Sequence, residues 1–60
     1  MPTYRITYAA ENPPCQITIE LTAPNCYTAI GWAVDGARAI LASTGRVADV
    51  QLMDARLLTP

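Results

Sequence analysis

The side chains able to do chemistry are few: two cysteines, five carboxylates and four positive charges, with no histidine. The carboxylates are Glu11, Glu20, Asp35, Asp49 and Asp54, and every cation is an arginine, Arg5, Arg38, Arg46 and Arg56. General acid–base catalysis needs titrating groups brought to one point, and no spacing here forces two carboxylates together. Without a histidine, a serine or cysteine nucleophile has no base of the usual kind. A zinc site built on Cys15 and Cys26 would need carboxylates to complete its tetrahedron, which is not the usual donor set for zinc. Gly31, Gly36 and Gly45 do not form a phosphate-cradling loop. The expectation is a protein with no catalytic, metal or cofactor site, one that acts by binding.

The cysteines also look structural. Cys15 opens a predicted strand and Cys26 opens the helix that follows it. About seven strand residues at about 3.3 Å each separate them by roughly 20 Å. A disulfide needs Cα atoms within about 7 Å, so no internal bridge is expected and both read as small core hydrophobes. The competing reading makes Cys26 a reactive thiolate at a helix N-terminus, but no histidine stands ready to activate it.

The elements that position these residues follow from periodicity. Tyr4, Ile6 and Tyr8 alternate with Thr3, Arg5 and Thr7, the period of a half-buried strand. Glu11-Asn12-Pro13-Pro14 is a turn, because two prolines supply no ladder N–H groups. Cys15, Ile17, Ile19 and Leu21 then alternate with Gln16, Thr18, Glu20 and Thr22, completing a β-hairpin. Asn25 after Pro24 is a helix N-cap. Ile30, Ala33, Val34, Ala37, Ile40 and Leu41 recur at helical spacing, and Gly45 suits the left-handed residue after a helix. The spacing predicts a helix over 26–43. From Val47 the chain is extended again, with a slip of phase near Met53–Asp54 that implies a bulge or the end of the regular strand.

The order β-β-α-β predicts an α+β fold, residues 1–60 forming one domain. It has a three-stranded antiparallel sheet in the order 2-1-3 with one helix on one face. At 60 residues such a domain buries only about 60% of the surface of its unfolded chain, and its stability is marginal.

Two surfaces remain for a partner. Trp32, Gly36, Ala39 and Ser43 fall on the helix face opposite Ile30, Val34, Ala37 and Leu41. A solvated face normally carries Lys, Glu or Gln, whereas this one holds the only tryptophan and three small residues. Small residues admit a close approach, and tryptophan is enriched at binding hot spots. The competing reading folds Trp32 over the hairpin loop or the C-terminal tail to cover a thin core. The second surface is the open sheet face, with Thr3, Arg5, Thr7, Gln16, Thr18, Glu20, Gln51 and Met53, and Arg5 is its candidate contact. Sheets that bind RNA stack bases on aromatics, which this face lacks if the tyrosines point inward.

Net charge is −1 and the arginines are scattered, so a nucleic-acid partner is not expected. No apolar run resembles a signal peptide or a membrane span, and the expected location is the cytoplasm. Arginine without lysine and abundant alanine indicate a GC-rich coding sequence, and hence a bacterium or its phage. In size and β-β-α-β order the whole chain resembles the small accessory proteins of bacteriophages and mobile elements, such as anti-CRISPR proteins and inhibitors of host enzymes. The resemblance implies a non-enzymatic inhibitor that occludes a surface of a larger host complex. It transfers no functional residue, and with five carboxylates the chain departs from the DNA-mimicking members. The alternative is a self-associating structural or small nucleic-acid-binding module, dimerising through the helix or an exposed edge strand.

Overall fold

The computed structural model describes residues 1–11, 14–45 and 49–60. Asn12 and Pro13 of the expected turn, Arg46, and Val47 at the expected start of the last strand lie outside the described residues. The elements are β1 (Thr3–Ala10), β2 (Cys15–Thr22), α1 (Cys26–Ser43) and β3 (Val50–Thr59). The sheet is antiparallel throughout in the order β2-β1-β3. The fold is therefore α+β in β-β-α-β order, with the central strand first in the chain.

Alternation decides which face of each strand is buried. Tyr4, Ile6, Tyr8 and Ala10 of β1 are buried, while Arg5 between them is exposed. The β1–β2 register runs without interruption from Thr3 opposite Thr22 to Ala10 opposite Cys15. That register sets Leu21, Ile19 and Ile17 beside Tyr4, Ile6 and Tyr8 on the helix side. Beyond the Thr3–Thr22 pair, the Ala23 N–H donates to the Pro2 carbonyl at 3.1 Å and carries the ladder one step further.

The helix starts and stops for local reasons. The Asn25 side-chain Oδ1 accepts the Thr28 N–H at 2.8 Å, satisfying one first-turn donor. At the other end the Thr44 and Gly45 N–H groups donate to the Leu41 and Ala42 carbonyls. Gly45 has φ of 77°, a left-handed conformation that glycine adopts without a Cβ clash.

The helix meets the sheet through small residues. Ala29, Ala33, Ala37 and Leu41 are its buried positions, and Ala33 and Ala37 lie among Tyr4, Ile6 and Tyr8. Alanines bring the helix axis close to the sheet and leave the volume to the tyrosine rings and Ile6. The larger Ile30 and Val34 flank this line and are only half buried. Ile40 corrects the expected core, because 49% of it is exposed. Leu41, one residue on and about 100° further round the helix, takes the buried position of the last turn instead.

One hydrogen bond ties the two layers together. The Tyr8 hydroxyl donates to the Ile30 carbonyl at 2.6 Å. Burial disfavours the phenolate and raises the Tyr8 pKa above its usual 10.0, Arg38 draws it back and Asp35 pushes it up. The folded chain thus holds this proton more tightly than the unfolded chain. Its contribution is complete below the unfolded phenol's pKa and is lost as pH rises through the raised value. Tyr8→Phe should cost about 1 kcal/mol at neutral pH. Urea midpoints followed from neutrality into the alkaline range should fall less steeply for this variant than for the parent.

Candidate functional site

On the outer face of α1, Trp32, Ala39 and Ser43 are exposed, as their spacing predicts. Trp32 keeps 52% of its surface in solvent, so it is not a buried core side chain. The Ser43 hydroxyl is spent on its own helix, donating to the Ile40 carbonyl at 2.7 Å. Gly36 departs from the stripe. It is half buried, and a Cβ built on it would stand 3.1 Å from the Ile19 Cδ1 on β2. The missing side chain lets α1 settle against β2 and does not leave room for a partner. Trp32 sits one turn before Gly36 on the same side of the helix, and Ala39 and Ser43 continue outward from it.

Tyr27 is the other aromatic left in solvent, with 88% exposed. Trp32 lies five positions further on, which places the two about 140° apart around the helix axis. They belong to different surfaces.

On the open sheet face Arg5 is exposed and occupied. Its Nη2 lies 2.9 Å and its Nε 3.0 Å from Glu20 Oε2, directly across the β1–β2 ladder. The Thr7 and Thr18 hydroxyls meet at 3.3 Å one step along. Thr3 and Thr7 are half buried, so the strands beside them shield this face more than expected. Both β1 tyrosines point to the helix side, and this face carries no aromatic platform for bases.

Glu20, Asp35 and Asp54 sit on three different elements, β2, α1 and β3. Glu20 is engaged by Arg5 and Asp54 by Arg56, while Asp35 is exposed on α1. Cys15 and Cys26 are each partly buried, and no disulfide joins them. Among the described residues no three or more His, Cys, Asp or Glu side chains group as a metal site. Among the same residues no helix is long and apolar enough to cross a membrane.

Strand β3 holds the surface that the periodicity does not reveal. Its register against β1 slips twice, with Met53 inserted between the Leu52–Tyr8 and Asp54–Thr7 pairs and Leu58 between Leu57 and Thr59. The phase slip near Met53–Asp54 is thus a bulge within a continuing strand. Leu52 and Leu57 lie opposite Tyr8 and Tyr4, on the helix side, yet 48% and 57% of them stay exposed. An α-helix is about 10 Å across and strands lie about 4.8 Å apart, so one helix covers roughly two strands. Here it lies most heavily on β2, and of β3 only Val50 and Ala55 pack against the core beneath it. With Met53 and Leu58 also exposed, β3 presents four large apolar side chains on an edge strand. The doublet Leu57-Leu58 beside the phase slip is the one sequence signal for it.

In comparison with known proteins, no family model matches the chain, and no curated protein or solved structure matches it.

The position of Gly36 is testable by a double-mutant cycle. Gly36→Ala should recover well under the about 1 kcal/mol that a helix normally gains from this change, because Ile19 Cδ1 has to move. In an Ile19→Val background, which lacks that atom, the gain should approach about 1 kcal/mol. Equal gains in both backgrounds, read by urea denaturation, would place Gly36 on the open side of the helix.

Proposed function

We propose that this chain is a non-enzymatic module that binds another protein through the outer face of α1 centred on Trp32. On this reading it works in the bacterial cytoplasm as a phage- or mobile-element-encoded inhibitor that occludes a surface of a host complex. The observation that carries the proposal is the half-exposed tryptophan on a helix face it shares with the small residues Ala39 and Ser43, with Asp35 at its margin. An aromatic anchor flanked by small residues lets a partner's surface come down over the ring and exclude water from it. A chain without histidine, in which Glu20, Asp35 and Asp54 sit on separate elements, supports binding over catalysis. The near-neutral net charge favours a protein over a polyanion as the target. Self-association, the second reading, is favoured separately by the uncovered β3.

Because Trp32 is the only tryptophan, its fluorescence reports on this face alone. Candidate partners are host proteins identified by co-purification and then purified. The cognate one should shift the emission to the blue in a saturable titration. Trp32→Ala should keep the parent's circular dichroism and bind at least about thirtyfold more weakly, the loss of a hot-spot residue. Unchanged affinity, or a variant that no longer folds, would remove the face from consideration.

A further inference from the structure

We propose that β3 is a self-complementary edge through which two copies of this chain join their sheets into one. The inference does not rest on the Trp32 face. It starts from the sequence of β3, which reads V-Q-L-M-D-A-R-L-L-T from Val50 to Thr59. Around Ala55 the strand has opposite charges one step away, Asp54 and Arg56, and large apolar residues beyond them, Leu52 and Met53 on one side and Leu57 and Leu58 on the other.

A twofold antiparallel pair is isologous: if one residue faces a second, that second residue faces the first in return. Centring such a pair on Ala55 sets Asp54 of each copy opposite the partner's Arg56. Leu57 and Leu58 of each copy then run alongside the partner's Leu52–Met53 bulge. All four exposed apolar side chains of the strand take part.

The charges also select this register. Asp54 and Arg56 share a face, because their side chains already form an ion pair, Nε to Oδ2, at 2.7 Å. Residues opposite one another in a sheet must lie on the same face, so the register can move only in steps that keep the faces matched. One such step sets Asp54 against the partner's Asp54. The step the other way sets Arg56 against the partner's Arg56. Like charges directly opposite are unfavourable, and only the pairing centred on Ala55 joins opposite charges on both sides.

The row of side chains across the open face ends at Arg56 in one copy. Glu20 faces Arg5, and Arg5 faces Arg56, so two guanidinium groups stand side by side at the margin of the sheet. The partner's Asp54 would extend the row next to Arg56, adding a second acid to the Asp54 that Arg56 already holds on its own strand. The other edge strand, β2, offers no counterpart. Glu20 is its one charged residue, and its apolar side chains are partly buried against the helix.

The test uses charge exchange between copies. The parent chain should sediment as a dimer at micromolar concentration. Asp54→Arg gives a strand with two positive charges and Arg56→Asp one with two negative charges, so each variant alone should be monomeric at a concentration where the parent is dimeric. Mixed in equal amounts, the two variants should form a heterodimer, because each then meets opposite charges. The doubly exchanged D54R/R56D chain should dimerise like the parent. Trp32→Ala should leave the dimer intact. A parent that stays monomeric through the micromolar range overturns the proposal, and this result does not depend on how any variant folds. So does a dimer that survives both single changes, or a mixture that stays monomeric.

Discussion

The structure depends on the contact between an alanine face and a tyrosine-bearing strand. Ala29, Ala33 and Ala37 let α1 lie close on β1, where Tyr4, Ile6 and Tyr8 provide the bulk. The largest fully buried side chain is Ile6, so little apolar area stands behind the fold. The Tyr8–Ile30 hydrogen bond and the Asn25 cap matter more here than they would in a larger domain, since each contributes about 1 kcal/mol to a marginal total.

The same contact decides what is left outside. A helix seated on β1 and drawn toward β2 by the missing side chain of Gly36 reaches only part of β3, where Val50 and Ala55 join the core. The apolar residues of β3 remain half exposed because of the width of a helix. They are not excess hydrophobicity scattered at random. The outer face of α1 is left over in a different sense. It points away from the sheet by geometry, yet it carries a tryptophan where a solvated helix would carry charge. The outer face of α1 and the edge strand β3 are therefore two separate surfaces left open by the packing.

Most of the architecture was legible in the residues. Period-two alternation located β1 and β2, Asn25 and Gly45 bounded α1, and the order of elements left few sheet topologies. The exposure of Trp32 followed from helical angle alone. What periodicity could not supply was the depth of each contact. Gly36 and Ile40 were misplaced because helical angle says which way a position points but not how closely the sheet approaches it. The surface on β3 was hidden by its bulge. Met53 breaks the alternation, so the strand reads as though it were ending, and its apolar residues do not sort into one face until the register with β1 is known.

The central claim is that the edge left uncovered by the helix is completed by a second copy. Amide hydrogen exchange, followed at several chain concentrations, addresses it residue by residue. The account predicts that β3 amides around Ala55 become more protected as concentration rises. The outward amides of β2, the other edge, should exchange at a rate that concentration does not change. Exchange in β3 that is as fast as in β2 and independent of concentration would contradict it.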